Sequence, residues 1–591
     1  MPLSPTIWQC RPDSHKHEAK TTGCDTIVDV LCRRAAEQGG KRAYVFLPDR
    51  GGGRAELTFA GLHARALAVA RHLAARGRPG ERAALLFLPG LDFLIAFFGC
   101  LYAGIVAVPM MIPRRDSRRD ASRAILANCA PRFLMTTRGL LDAGRPDLRE
   151  RFADPGREWV FPEEIPAAAG DKGEPPARPR PSDIAFLQYT SGSTAAPKGV
   201  MVGHGNLIVN AEMIRLAFGN TERSTYASWV PLYHDMGLIV NALQALHIGA
   251  LCVLMAPVAF LQRPLAWLRA IGEFRAEVAG GPNFAFDHCV ERYRAGDMAG
   301  VDLSNWRLAF NGAEPVRADT LARFAATFAP HGFAATTFYP AYGMAEATLL
   351  ISGGRRGAGP LLRPVSREAL QQHRLAPPRQ EEDAQVLVGV GRRLAGEGLA
   401  IVDPPSGRRL AAGAIGEVWV RGPHVAQGYW RNPQATHAAF AGRIAGEEAS
   451  DWLRTGDLGF LDTAGELFIT GRIKDLIIIR GVNHYPQDIE HTVETCHPAL
   501  RRHGGAAFGV SDENGAERLV IVQEVERAFR HRLDSREVAA TIREAVTREH
   551  DLAPYRIVLI RPGTLPQTTS GKIQRGRARQ LWRAGALEVV A

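Results

Sequence analysis

Lysine is scarce in this chain. Only Lys16, Lys20, Lys41, Lys172, Lys198, Lys474 and Lys572 occur in 591 residues, so the net charge of +11 is carried mainly by arginine. The arginines are spread along the chain and form no basic block, which argues against a nucleic-acid partner. Cysteine is sparse and unpatterned: Cys10, Cys24, Cys32, Cys100, Cys129, Cys252, Cys289 and Cys496 make no CxxC pair, and no histidine cluster has zinc-finger spacing. A disulfide framework and a structural zinc are therefore not expected, and a reduced, cytoplasmic setting fits. The start, MPLSPTIWQCRPDSHKHEAK, has no basic segment followed by an apolar one, so secretion is not expected either. Fixed-period repeats are missing. One apolar stretch, residues 83 to 113, is long enough to span a bilayer and carries a single charge, Asp92. Pro89-Gly90 interrupts it after a short strand, Asp92 opens a helix, and Gly104 precedes a second strand, so a buried strand–helix–strand unit is expected and no integral membrane segment.

What is present is a globular, multidomain pattern. The length calls for two or more compact units. Apolar runs such as IAFLQYT, STYASWVPL, ALCVLMAP and AEVAGGPN alternate with helix-like stretches, the pattern of a parallel sheet covered by helices. A Pro- and charge-rich segment, 162 to 183, reads as a surface loop, and a polar stretch, 352 to 384, precedes what look like short hairpin strands. After GRIKD at 471 to 475 the chain changes character. A helix near 487 to 498, two strands, and an amphipathic helix from 536 to 550 with Val538, Ile542, Ala545 and Val546 on one face suggest a separate small domain.

The chemistry begins at LQYTSGSTAAPKGVMV, residues 187 to 202. Backbone N–H groups around Gly192, the hydroxyls of Thr190, Ser191, Ser193 and Thr194, and the ammonium of Lys198 make an anion cradle suited to a polyphosphate. It is not a Walker A loop, because the lysine follows Pro197 and precedes Gly199.

That segment is the first of seven that occur in order: YTSGSTAAPKG, PLYHDMGL (231 to 238), NGAEPV (311 to 316), YGMAEAT (342 to 348), RTGDLGF (454 to 460), GRIKDLIIIRGVNHYPQDIE (471 to 490) and LPQTTSGKIQR (565 to 575). Together they resemble the adenylate-forming superfamily of acyl-CoA synthetases, luciferases and peptide-synthetase adenylation domains, over nearly the whole chain. The resemblance implies an α/β fold with a large N-terminal domain, residues 1–473, of two sheet-based lobes and a β-barrel-like lobe, and a small mobile α+β C-terminal domain, residues 474–591.

It also implies roles. Lys198 and the loop hydroxyls would hold the pyrophosphate end of ATP, and Glu346 a Mg2+ ion. Tyr342, followed by Gly343 and Met344, would stack on adenine, with the turn Asn311, Gly312, Ala313 and Glu314 at the purine edge. Asp457 would accept from the ribose hydroxyls and Arg472 donate to one. His234 would stand beside the acyl entry, Lys572 would reach from the small domain to the carboxylate and α-phosphate, and Lys474 would mark the hinge.

Within the superfamily the chain looks most like fatty acyl-AMP ligases. Ala345 stands where CoA ligases usually carry threonine, His484-Tyr485-Pro486 and a GYW ending at Trp430 match, and the stretch near 352–384 resembles that family's insertion. The implied reaction activates a medium- or long-chain fatty acid with ATP and passes it to the phosphopantetheine of a separate acyl carrier protein, of a polyketide or nonribosomal peptide synthase. Trp229, Met236, Leu238 and Phe286 are candidates to line the acyl tunnel, with Gly281 allowing close backbone approach, although AGGPNFAF departs from the family's Gly-Ala-Pro-Asn. The rival readings are a fatty acyl-CoA synthetase and a non-catalytic nucleotide-binding regulatory protein. Retention of both Lys198 and Lys572 argues against the second.

Overall fold

The computed structural model describes residues 23–49, 53–113, 122–168, 170–190, 197–480, 482–513, 517–530, 532–568 and 572–590. The apolar stretch 83–113 folds as strand Arg82–Leu85, helix Leu91–Tyr102 and strand Val106–Pro109, with the two strands adjacent and parallel. Every residue of that helix except Asp92 is buried. Gly99 lets it lie close against the helix Phe59–Ala74, since a Cβ there would stand 2.4 Å from Val69 Cγ1. Among the described residues no helix is long and apolar enough to cross a membrane.

Two large sheets form the N-terminal part. Among the described residues one has six strands, ordered Glu158–Val160, Phe133–Met135, Arg82–Leu85, Val106–Pro109, Ile184–Thr190 and Lys198–Gly203, parallel except for the last antiparallel hairpin. The other has nine, with Leu308–Asn311, Val278–Gly281, Thr225–Ser228 and Leu251–Met255 as consecutive parallel strands near its middle. One continuous core joins the two sheets and includes Phe97, Phe186, Tyr226 and Trp267. A third lobe carries a four-stranded antiparallel sheet, Gly398–Val402, Gly416–Arg421, Leu453–Leu461 and Leu467–Arg472. Parallel strands place their loops at one end of each sheet, so the motif-bearing turns after Asn311 and Gly343 converge.

From Ile477 the chain builds a smaller α+β unit with its own core, in which Ile489, Val493, Leu519, Ile521, Val538, Ile542 and Val546 pack together. Its three-stranded sheet joins Leu500–Ser511 antiparallel to Glu517–Val525, and the latter parallel to Arg556–Ile560.

The polar stretch 352–384 is more ordered than its composition suggests. It holds the antiparallel pair Leu362–Ser366 and Ala384–Val388 and a short helix, Arg367–Gln371. Val365, Leu370 and Leu387 pack with Phe460 and Phe468 of the antiparallel lobe and with Tyr485 of the C-terminal unit. Hydrogen bonds cross the same gap: Asn483 Nδ2 to Gln371 O (3.1 Å), Gln385 Nε2 to Asp488 Oδ2 (3.0 Å) and Arg367 to Glu549 O (2.9 Å).

Candidate active site

The strand pair around the opening motif places Thr190 directly opposite Lys198. Ser191, Gly192, Ser193 and Thr194 lie outside the described residues. Lys198 Nζ stands 4.8 Å above the ring of Tyr429, and the Tyr429 hydroxyl donates to Glu346 Oε1 at 2.8 Å. Backbone bonds from Trp430 N to Gly199 O and from Met201 N to Gly428 O stitch the Tyr429 segment to the lysine's strand. Burial, and then the Glu346 carboxylate, push the Tyr429 hydroxyl up, so it stays a neutral donor. Lys198 and Glu346, 148 positions apart in sequence, thus face one tyrosine. The sequence contained that tyrosine in GYW, but nothing in the motif alone said what it touches.

A second group centres on Asp457, which is 3% exposed. Antiparallel pairing sets it opposite Arg472, whose Nε donates to Oδ1 at 2.6 Å, while the Tyr342 hydroxyl donates to Oδ2 at 2.7 Å. Asp457 is the chief reason the Arg472 guanidinium is held above its usual range, and burial raises the Tyr342 hydroxyl. A carboxylate has about four lone-pair sites, so two bonds leave room for ribose hydroxyls. Gly343 permits the sharp turn beyond Tyr342 toward Met344 and Glu346: a Cβ there would meet Leu349 O at 1.9 Å.

Across from it lies a cavity of about 360 Å³, mouth included, lined by Trp229, His234, Met236, Ala313, Glu314 and Lys572, among others. Lys572 comes from the C-terminal unit and the rest from the N-terminal part. Burial lowers the Lys572 ammonium, Arg472 lowers it further, and Asp235, Asp457 and Glu314 oppose them. His234 Nδ1 lies 2.7 Å from Asp235 Oδ1, and both cap the turn through Met236 N. Burial raises the Asp235 carboxyl, but His234 and neighbouring cations outweigh it and leave the group below its usual range. Glu314 accepts from Phe284 N at 2.6 Å and is pushed up by burial. Ala313 takes a left-handed φ of 70°, and Gly312 lies under Ala341 O, where a Cβ would stand 2.6 Å away. Asn311 is buried and donates to Asn283 Oδ1, one layer behind the cavity.

The other expected tunnel residues divide. Gly281 lies beneath Trp229, with 3.2 Å between a Cβ there and Cζ2, so its smallness serves the packing of a lining residue. Phe286 is fully buried against Trp267, Phe324 and Phe338, and Leu238 is likewise fully buried; neither lines the cavity. Lys474 also stands outside it, in the turn Ile473–Asp475 between the antiparallel lobe and the C-terminal unit. The neighbouring Asp475 pairs with Arg575 at 3.1 Å, and Arg575 holds Glu490 with two bonds of 2.7 and 2.6 Å. A second cavity of about 490 Å³, mouth included, adjoins the first through Val230 and Pro231 and is lined by Phe46, Phe87, Phe93 and Met255, among others, with no charged residue. Sequence reasoning left these aromatics unassigned.

A model of the AMP-binding enzyme family matches residues 31–430, and one described as Disco-interacting protein 2-like, AMP domain, matches residues 474–591. The chain is similar to the medium-chain-fatty-acid–acyl-carrier-protein ligase JamA of Moorena producens, at 43% identity over 570 residues, 95% of this chain and 96% of that protein. It is 36% identical to the corresponding ligase TtuA of Teredinibacter turnerae over 94% of this chain and 93% of that one. Among solved structures it resembles a fatty acyl-adenylate ligase from Legionella pneumophila in complex with acyl adenylate and pyrophosphate, with a TM-score of 0.74, 38% identity, and coverage of 97% and 98% of the two chains.

Proposed function

The chain belongs to the AMP-binding enzyme family, and from that premise we propose that it is a fatty acyl-AMP ligase, which activates a medium- or long-chain fatty acid to its adenylate and passes the acyl group to a carrier protein. The observation that carries the reading is Lys572, brought from the C-terminal unit into one cavity with His234, Glu314 and Trp229. A fatty-acid carboxylate and ATP repel each other, and a carboxylate is a poor nucleophile unless aligned with the α-phosphorus. A half-buried ammonium at their meeting point stabilises the charge shared between them as the new O–P bond forms and pyrophosphate leaves.

The remaining residues act around that step. Asp457, fixed by Tyr342 and Arg472, holds the ribose; Tyr342 and the turn Asn311–Glu314 hold the base; Thr190 and Lys198 hold the departing phosphates. A Mg2+ ion fits Glu346, a hard oxygen donor whose Oε1 accepts from Tyr429. When bound, that ion neutralises charge on the phosphate oxygens. The acyl chain extends past Val230 and Pro231 toward the adjoining apolar cavity. We place Lys474 at the pivot between the two half-reactions, and the acceptor as the phosphopantetheine of a separate carrier protein of a polyketide or nonribosomal peptide synthase. Both cradle lysines being present supports catalysis over a purely nucleotide-binding role.

The acceptor is tested by mass spectrometry of products with a phosphopantetheinylated carrier protein and coenzyme A supplied together. Acyl-carrier product with little or no acyl-CoA is expected. Dominant acyl-CoA would replace the ligase reading with the synthetase.

A further inference from the structure

Three carboxylates meet where the N-terminal part contacts the C-terminal unit. Asp287, on the helix Asn283–Arg292, and Glu314, in the turn after Asn311, approach from the N-terminal side, and Glu494, on the helix Pro486–Cys496, from the other. His503 lies among all three. Its Nε2 is 3.3 Å from Asp287 Oδ2, its backbone N–H donates to Glu494 Oε2 at 2.6 Å, and its ring meets Phe284 edge-on.

The backbone is shaped to put it there. The strand Leu500–Ser511 loses register with its partner between Leu500 and Gly505, and His503 takes a φ of 53°. A bulge of this kind re-aims a side chain that regular pairing would direct elsewhere, and the left-handed conformation is uncommon for any residue but glycine.

The surrounding charges are partly matched without it. Arg323 pairs with Asp287 at 2.6 Å, His491 with Glu494 at 3.3 Å, and Arg502 with the neighbouring Glu291 at 3.7 Å; Arg317 acts on Glu494 and donates to Gln487 O, and Lys572 acts on Glu314. Docking nevertheless presses carboxylates of both parts toward one another, and like charges at close range oppose contact unless a cation stands between them.

We propose that protonated His503 is a positioning residue that clamps the C-terminal unit in the arrangement presenting Lys572 to the reacting carboxylate. It touches no reactant and acts by joining the acids of the two parts. This rests on the adenylation reading above. Burial alone would lower the imidazole, but Asp287, Glu494 and Glu314 outweigh it and raise it to about 9. A raised value means that the clamp is fully engaged below the ordinary histidine range near 6.5 and is lost as pH rises through about 9.

The test compares wild type with His503→Gln in fatty-acid-dependent ATP–pyrophosphate exchange from pH 7 to pH 10, well below the melting temperature of each. At pH 7 the wild type is expected to be about tenfold faster, with the difference in kcat and not in the KM for ATP, and the ratio of the two rates should fall toward one above about pH 9. Lys572 is present in both proteins, so the two rates are compared as a ratio at each pH. Acyl transfer from supplied acyl-adenylate to carrier protein should be equal in the two. Should the glutamine variant fail to fold, His503→Asn, with a residue more at ease at positive φ, serves the same comparison. A ratio of one throughout, or a deficit independent of pH, would overturn the clamp, whereas wild-type protein inactive in exchange at every pH would overturn the adenylation reading itself.

Discussion

The two ends of the candidate site handle charge in opposite ways. At the end we propose for the ribose, Asp457 is paired within the protein, by Arg472 at 2.6 Å and the Tyr342 hydroxyl at 2.7 Å, all held in strands or at their ends. At the end we propose for the reaction, Lys572 is lowered by burial and by Arg472, and it comes from another structural unit. A neutralised, strand-mounted group binds substrate and transition state alike and raises affinity. A desolvated, incompletely paired charge is most stabilised when opposite charge develops beside it, which lowers a barrier.

Removing a group from each end sharpens the contrast. Lys572→Ala is expected to slow adenylation a hundredfold or more, about 3 kcal/mol of barrier, while ATP binding by calorimetry stays near wild type. If ATP affinity falls as far as the rate, the two ends do not differ in kind. Asp457→Asn removes a charged acceptor worth about 1.5–3 kcal/mol, so the KM for ATP should rise by roughly ten- to a hundredfold with a smaller change in kcat. A loss confined to kcat in steady-state assays would move Asp457 to the reacting end. The smallest effect is expected between the ends: Tyr429→Phe deletes one hydrogen bond to Glu346, about 1 kcal/mol or a few-fold in adenylation rate, with the deficit narrowing as Mg2+ is raised. A magnesium titration with parallel curves for both proteins would detach Tyr429 from the metal.

The same division governs what could be read from sequence. The residues proposed for the ribose and the phosphates lie in short, ordered motifs, and Lys572 stood out because lysine is rare. The apolar wall was less legible. Trp229 and Met236 line the cavity while Phe286 and Leu238 face the core, since an apolar side chain in a wholly buried α/β unit has apolar neighbours on every side and its spacing does not say which neighbour is a ligand. Phe87 and Phe93 are near neighbours in sequence, but Phe46 joins them only through the packing of elements distant in sequence. His503 carried no motif at all. Its one local signal was the pair Gly504-Gly505 beside it, which marks a bulge without saying what the bulge aims. The stretch 352–384 stood out by its polar composition, which hid the strand pair that it opens and the buried Val365 and Leu370.

The way that insertion is tied to the C-terminal unit also bears on how the protein tolerates mutation. Asn483 and Tyr485 donate to Gln371 O and Leu370 O, and Arg367 donates to Glu549 O, so these three links end on main-chain oxygens, whereas Gln385 to Asp488 joins two side chains. A carbonyl oxygen is present whatever residue carries it. Substitution at position 371 therefore erases no acceptor, whereas Leu370 is held by its burial beside Tyr485 and Glu549 also accepts from Thr492 through its side chain, so the donors Asn483, Tyr485 and Arg367 are the points at which a link itself is lost.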